Sequence, residues 1–350
     1  MKELKLPRYG LSHYIDEAKK NEAGKNDRKY LENLSRAGQR MMGFCMSTFF
    51  KRIDSSGYSF LLTIYRHILR NMVFIYAIEN KLDLPIGDEN VLPDDFLEDT
   101  DTGTLPNINS PKNILKVTNG KITISTDEKL YQSLAKDYYQ SIILKGGSNV
   151  RRLDSTYFKR SLKTQLEKDC KTLFGILDIC DGWDVAEDQK LSELENLLTV
   201  KHPKEKVIVF TQYSDTAKYI YNQLVKRGIE SIEFVTGNTE NPTAIVDRFS
   251  PKSNNATIET EKEVRVLIAT DVLSEGQNLQ DAHVIVNYDM PWAIIRLIQR
   301  AGRVDRIGQE AEKILCYSFF PAEGVEKVIK LRKRLNDRIN ENANVVGSDE

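Results

Sequence analysis

With 350 residues the chain is longer than a typical single domain, and it should fold as one large or two smaller units around a sizeable core. Its 50 Lys and Arg against 51 Asp and Glu leave a formal net charge of -1. This excludes a general electrostatic pull on polyanions, so any nucleic-acid surface must be local.

The four cysteines, Cys45, Cys170, Cys180 and Cys316, form no C-x-x-C pair and have no histidine at zinc-ligand spacing. His13, His67, His202 and His283 are scattered. No metal site is expected, and the thiols read as reduced. The opening MKELKLPRYG lacks the apolar core of a signal peptide, and no run of about 18 apolar residues occurs. A cytoplasmic protein with no membrane partner is the expectation.

Along the chain, residues 28–53 place Leu31, Leu34, Met41, Met42, Cys45 and Phe49 on a helical period, with a basic opposite face. Ser55 or Ser56 offers an N-cap to a second helix that reaches about Asn80 and is apolar around most of its circumference, as a buried helix would be. Residues 1–80 hold 14 basic against 8 acidic residues, whereas 81–110 hold one Lys and eight acidic residues with three prolines. The expected organisation is a helical spacer over 1–80 and an acidic, loop-rich linker over 81–126. The linker holds at most a short hairpin at the Asn119-Gly120 turn signal. A helical connector is expected over 127–187.

From Lys206 the pattern changes to short β-branched runs at 206–211, 229–236, 264–271, 283–289 and 313–320, separated by helical stretches. One helix is expected to be capped by Ser214 and stopped by Gly228, another to open at Asn241-Pro242. Alternating strands and helices imply an α/β fold, a parallel sheet with helices on both faces. Ligands of such sheets sit at the carboxyl ends of the strands, here FTQ, VTG, ATD and NYD.

Those ends carry the candidate chemistry. The strand ending at Thr270 and Asp271 runs into SEGQNLQ, where Gly276 permits close backbone approach beside the polar Ser274, Glu275, Gln277 and Asn278. Pro291 fits the first turn of a helix delivering Arg296, Gln299, Arg300, Arg303 and Arg306 to the same edge, and preorganised guanidinium forks suit a transferring phosphoryl group. Taken singly, these features have plainer readings: a solvated basic helix for the arginines and an Asx turn at the strand end for Thr270 and Asp271. VRRLDSTYFKR, residues 150–160 with its aromatic pair, likewise reads as a solvated helical face more readily than as a phosphate contact. Trp292 reads as packing beneath the helix.

QRAGRVDRIGQ, residues 299–309, matches the Q-R-x-G-R-x-x-R signature of superfamily-two helicases, and its DRIGQ tail resembles the Swi/Snf-type double-stranded DNA translocases, closest to their bacterial branch. VIVFTQYSDTA, VTGNTENPTAIVDRF and VLIATDVLSEGQNLQ resemble the preceding motifs of that family in order. The resemblance covers residues 188–321 and implies a second RecA-like lobe, followed by a C-terminal helix and tail over 322–350; a looser resemblance joins residues 28–80 to the spacer before that lobe. It implies that Arg303 and Arg306 are arginine fingers for ATP and that Arg300 orders the motif through carboxylates. Gln299, Asp271, Gly276 and Asn278 would touch or couple to the nucleotide, while Thr270, Gln212, Gly237 and Ser274 would follow a nucleic-acid backbone. Double-stranded DNA and a first RecA-like lobe are the implied partners.

No G-x-x-x-x-G-K-[ST] cradle occurs, and Asp16-Glu17-Ala18-Lys19 only imitates an acidic box. ATP hydrolysis would therefore need a first lobe carrying the P-loop and the magnesium site, and this chain alone is not expected to hydrolyse ATP. A truncation, a split gene or a partner-completed enzyme would all read this way. A non-enzymatic docking module and an inactive regulator of a motor are the alternatives from other classes.

Overall fold

The computed structural model describes residues 3–86, 114–140, 151–274, 277–291, 293–330 and 333. Most of the expected acidic linker, Gly276, Trp292 and nearly all of the tail beyond residue 330 lie outside the described residues. The chain divides into two compact units, Met1–Lys51 with Phe60–Ala186, and Arg52–Ser59 with Glu187–Glu350.

In the first unit, α1 (Glu17–Glu22) is capped by the Asp16 carboxylate, which accepts from the backbone of Ala18 and Lys19. The two long expected helices are α2 (Lys25–Ser55) and α3 (Gly57–Glu79), and the short strand β1 (Asp83–Pro85) follows. Between Phe60 and Ile75 all of α3 is buried, including Arg66, His67, Arg70 and Asn71. Arg8 donates from Nε to Asn71 Oδ1 at 2.7 Å and reaches His67 Nδ1 at 3.2 Å. A guanidinium has only donors, so His67 accepts there through the lone pair of a neutral ring.

The Asn119-Gly120 signal is a two-residue hairpin turn with both residues at positive φ, 52 and 83 degrees, joining β2 (Leu115–Thr118) to β3 (Lys121–Ile124). Two elements at the far end of the expected connector complete small sheets. β4 (Arg152–Asp154) runs antiparallel to β1, and β5 (Trp183–Asp184) runs antiparallel to β3. α4 (Glu128–Tyr138) precedes β4, and α5 (Ser161–Cys180) lies between β4 and β5.

The stretch 151–160 is not the helical face expected. Asp154 accepts from Thr156 N at 2.8 Å and turns the chain into a 3-10 segment, Ser155–Tyr157, before α5 begins at Ser161. Its groups are occupied locally: Arg151 lies over the Tyr30 ring at 4.0 Å, and the Tyr157 hydroxyl donates to Asp27 at 3.3 Å. No described helix is long and apolar enough to cross a membrane.

The second unit opens with α6 (Gln189–Asn196), whose N-cap Asp188 accepts from Leu191 N at 2.9 Å. It continues β6 (Val207–Phe210), α7 (Ser214–Lys226), β7 (Ile232–Val235), α8 (Pro242–Phe249), β8 (Val266–Ala269), β9 (Val284–Asn287), α9 (Ile294–Ala301), β10 (Leu315–Ser318) and α10 (Glu323–Ile329). The five strands form one wholly parallel sheet in the order β10-β9-β6-β8-β7. This is the α/β fold expected, a parallel sheet covered by helices, with a mainly helical region earlier in the chain.

Along the strands, alternate residues Ile208, Phe210, Leu267, Ala269 and Ile285 share one core cluster with Val246, Phe249 and Val304. The intervening Val207, Val209, Val266, Ile268, Val284 and Val286 are equally closed to solvent, which requires cover on both faces. Asn241 caps α8 by accepting from Ala244 N, with Pro242 as first helical residue, and Gly228 ends α7 at φ 84 degrees. Ser214 is not the cap of α7; it is the first helical residue, and Tyr213 holds the cap position without a side-chain hydrogen bond.

Candidate functional site

The carboxyl ends of β6, β8 and β9 meet α9 around one buried guanidinium. Arg300 is 0 % exposed. Its Nε donates to Asp271 Oδ1 at 2.7 Å, and its Nη1 donates to Asn287 Oδ1 at 3.0 Å and to the Asp289 carbonyl at 3.4 Å. The guanidinium also lies 5.3 Å from the centroid of the Phe210 ring. The contacts come from three strand ends, so one side chain ties the VLIATDVLSEGQNLQ segment (motif V of the resemblance), the end of β9 and the QRAGRVDRIGQ segment (motif VI) together. Arg296 adds a second tie, Nη1 to Asp271 Oδ2 at 3.1 Å.

The helix that carries them starts later than Pro291 suggests. α9 begins at Ile294 with Ala293 at its cap and ends at Ala301, so Pro291 lies before the helix. Arg303 and Arg306 follow that end, in the turns beyond Gly302. The three arginines therefore do not line one helix edge: Arg300 points inward from the last turn, while the other two belong to a loop.

That loop is held at its far end. The Gln309 side-chain amide lies 3.0 Å from each of the carbonyls of Gln280, Ala282 and Val304, and its Oε1 accepts from Ala311 N at 2.9 Å. Two amide hydrogens thus serve three acceptors. Gly308 beside it has φ 100 degrees, a conformation that side chains rarely adopt, and Gln280 Nε2 donates to the Ile307 carbonyl at 2.6 Å. The IGQ tail fastens the loop onto the segment after motif V, and Val304 is a fully buried plug between.

Between these anchors the finger candidates differ. Arg303 is half-buried, and its Nε is closed to solvent with no hydrogen-bond partner among the described residues. Arg306 is exposed and donates from Nη1 to Asn278 Oδ1 at 2.7 Å. Asn278 in turn donates to the Ser253 carbonyl at 3.4 Å, and its own carbonyl accepts from Asn254 at 2.9 Å. Gln299 is half-buried on α9. Of the sequence-derived residues, Asp271 with Arg300 and Asn278 with Arg306 thus form two directly hydrogen-bonded pairs.

On the other side of the strand ends, Gly237 sits in an exposed loop with nothing within 4 Å of where a Cβ would stand. Thr270 is 4 % exposed, its N–H donating to the Val235 carbonyl at 3.0 Å. Gln212 is placed differently from its expected backbone-tracking role. It is buried, its side chain donates to the Met290 carbonyl at 3.1 Å, and its N–H donates to Asp289 at 2.8 Å. Ser274 ends a 3-10 turn that starts at Asp271.

Two members of the site were not singled out from the sequence. Asn287 and Asp289 belong to the NYD strand end, but their partners lie elsewhere in the chain, so no local spacing marks them. Val272, Ile295 and Ile298 are 47 %, 55 % and 58 % exposed on the 3-10 turn and α9, an apolar surface beside the guanidinium cluster.

Among known proteins, residues 189–308 match the helicase conserved C-terminal domain. The uncharacterized ATP-dependent helicase YqhH of Bacillus subtilis is 34% identical over 164 residues, covering 47% of this chain and 27% of that protein. The putative ATP-dependent RNA helicase MJ1505 of Methanocaldococcus jannaschii is 33% identical over 144 residues, 35% of this chain and 18% of that one. The ATP-dependent RNA helicase DBP8 of Kluyveromyces lactis is 32% identical over 164 residues, 45% and 34%. The chain thus spans between 18% and 34% of the length of these relatives. The crystal structure of the C-terminal part of the Fun30 ATPase domain aligns with a TM-score of 0.35 at 18% identity, covering 57% of this chain and 62% of that chain.

Proposed function

We propose, from the helicase conserved C-terminal domain that residues 189–308 carry, that the second unit is the second motor lobe of an ATP-dependent nucleic-acid translocase or helicase. The observation that carries the reading is the arrangement of the arginines. Arg300 is wholly buried and held by Asp271 and Asn287, with only its Nη2 unpaired among the described residues, whereas Arg303 is half-buried and its Nε has no partner among them. A buried donor without an acceptor costs about 1–3 kcal/mol, which an arriving anion would relieve.

Arg303 and Arg306 would meet the terminal phosphate of ATP and stabilise the charge that develops there; Arg306 can leave Asn278 because that contact is solvent-exposed. ATP, when bound, supplies the hydrolysable phosphoanhydride. The magnesium site, like the P-loop, is assigned to a first lobe, which is where the family resemblance puts both. Exposed Val272, Ile295 and Ile298 beside the fingers suit contact with that lobe. Gln299, Asp271 and Gly276 would couple nucleotide state to the strand ends, and the loops carrying Gly237, Thr270 and Ser274 would follow a nucleic-acid backbone. Gln212 would act inside the lobe instead, because Met290 and Asp289 occupy it.

The DRIGQ tail and the SEGQNLQ loop favour duplex DNA by resemblance to Swi/Snf-type translocases, and a cytoplasmic location goes with that reading. The relatives named as RNA helicases favour RNA as a second reading. Assaying ATPase of the chain combined with a P-loop lobe, with duplex DNA and RNA as separate activators, tests both. Duplex stimulation supports the first reading and RNA stimulation the second. ATP hydrolysis by the isolated chain would sink the assignment of the cradle to another lobe. Failure of any P-loop lobe to restore hydrolysis would favour a docking module or an inactive regulator.

A further inference from the structure

The segment Arg52–Ser59 belongs to the second unit, although the chain on either side of it belongs to the first. It contains the end of α2, the break at Ser56 and the start of α3. Its contacts are polar and buried. Ser55, Ser59, Thr211, Thr216 and Asp289 are at most 0 % exposed.

The direction of each hydrogen bond follows from one fact, that an ionised carboxylate only accepts. Ser55 Oγ is 2.6 Å from Asp289 Oδ2, so Ser55 donates to it. Ser55 Oγ is also 2.7 Å from Thr216 Oγ1, and with its one proton committed it must accept from Thr216. Thr216 Oγ1 is 2.7 Å from Ser59 Oγ, so Ser59 donates to Thr216. The hydroxyls form a one-way chain, Ser59 to Thr216 to Ser55 to Asp289, in which each bond polarises the next.

Asp289 gathers further donors, Thr211 Oγ1 at 2.5 Å and Gln212 N at 2.8 Å. Its backbone carbonyl accepts from Arg300, the residue three before Arg303. A second tie closes the other end of the strap. Lys190 Nζ donates to the carbonyls of Asp54 and Ser55 at 2.8 and 3.2 Å, capping the C-terminus of α2, and lies 4.4 Å from the Tyr288 ring centroid. Arg52 adds an ion pair to Asp215 at 2.9 Å and stacks on Tyr213 at 4.0 Å.

We propose that the Arg52–Ser59 strap is a positioning element for the arginine-finger loop, with Ser55 and Asp289 as its positioning residues: the strap fixes Asp289, Asp289 fixes Arg300, and Arg300 fixes where the turns carrying Arg303 and Arg306 begin. This rests on the finger reading of those two arginines. Asp289 touches no phosphate in this scheme; it acts through its carbonyl and through the course of the chain after β9. It follows that residues 187–330 without the strap would leave the Lys190 ammonium without its two carbonyl acceptors and the Asp289 carboxylate without the Ser55 donor.

The test compares Ser55→Ala with Leu224→Ala, a cavity variant in the same lobe at the far end of α7, by hydrogen exchange on the full chain. The protected amides of Gly302, Arg303, Val304, Asp305 and Gln309 report on the finger loop. At matched loss of Tm, Ser55→Ala should speed their exchange about tenfold beyond the Leu224→Ala control, and Ser55→Thr, which keeps the donor, should stay within about twofold of wild type. If Ser55→Ala does not fold, Thr216→Val, which cuts the chain one link earlier, is measured against the same control.

In the ATPase assembled with its P-loop lobe, Ser55→Ala should lower kcat about tenfold with KM nearly unchanged. Exchange no faster than in Leu224→Ala overturns the positioning role. If that occurs while Arg303→Ala is inactive, the positioning proposal fails alone; full activity of Arg303→Ala overturns the finger reading and, with it, the catalytic consequence.

Discussion

Arg300 Nε donates to Asp271 Oδ1 at 2.7 Å with the arginine wholly removed from solvent and the aspartate nearly so. Removing the carboxylate would strand a buried cation, the expensive way to break such a pair. Asp271→Ala is expected to cost about 3–5 kcal/mol, read as a fall in chemical-denaturation midpoint. Arg300→Met, which removes the charge and keeps the volume, should cost clearly less. Equal losses for the two would show that desolvation is not what sets the scale.

Arg303 is expected to behave in the opposite manner, as a residue of function and not of stability. With a P-loop lobe supplied, Arg303→Ala should lower kcat by roughly a thousandfold while leaving KM for ATP within a few-fold. The thermal midpoint of the chain should hardly move or should rise, since a buried donor without an acceptor is removed. A large drop in stability with intact turnover would reverse the assignment.

Gln309→Glu replaces two amide hydrogens among three carbonyls by a carboxylate that can only accept. The loop should come loose at that end, at a cost of about 2–3 kcal/mol, and the amide of Ala311 should remain protected because its acceptor persists. Hydrogen exchange resolved by residue checks both parts.

Burial pushes the Asp54 carboxyl up to about 6, with Asp289 and Glu326 adding to the effect and Lys190 opposing it. A folded value above the unfolded one means a contribution that is present in full below about pH 4 and is lost as pH rises through about 6. Asp54→Asn should therefore be more stable than wild type at pH 8, by about 1–2 kcal/mol, with the advantage disappearing by pH 4. Thermal midpoints of the two proteins across that range give the result, and a constant difference would remove Asp54 as the cause.

Gly237 offers a different probe, since open space surrounds it. Gly237→Glu should leave the thermal midpoint unchanged and weaken nucleic-acid binding, with a salt dependence shallower than that of wild type. Unaltered affinity would take the loop after β7 out of the interface.

The strands were legible because β-branched runs of six to eight residues, set between helical patterns, admit few other folds. The order of the motifs brought Asp271, Arg296 and Arg300 to one strand edge, where hydrogen bonds join them. Local rules failed where the chain took one more step than they specify. Pro291 suits a helix start, yet α9 opens only at Ile294; Ser214 is a good cap, yet it is already helical. Three arginines at intervals of three would share a helical face, but the helix stops at Ala301, so one turns inward and two do not. Gln212, Asn287, Asp289 and Ser55 could not be read at all in this sense. Their partners lie from 11 to 234 residues away, as for Asp289 with Arg300 and Ser55 with Asp289, and burial alone selects among such distant pairings.

The Gln309 clamp has a consequence for binding. With Arg300 immobilised at one end and Gln309 at the other, the intervening segment is a short bridge between two fixed abutments, too brief to wander. Ordering it belongs to the folding of the lobe, so a phosphate arriving at Arg303 would meet a receptor whose conformational entropy is already low, and less of the encounter's free energy would be lost to arranging it.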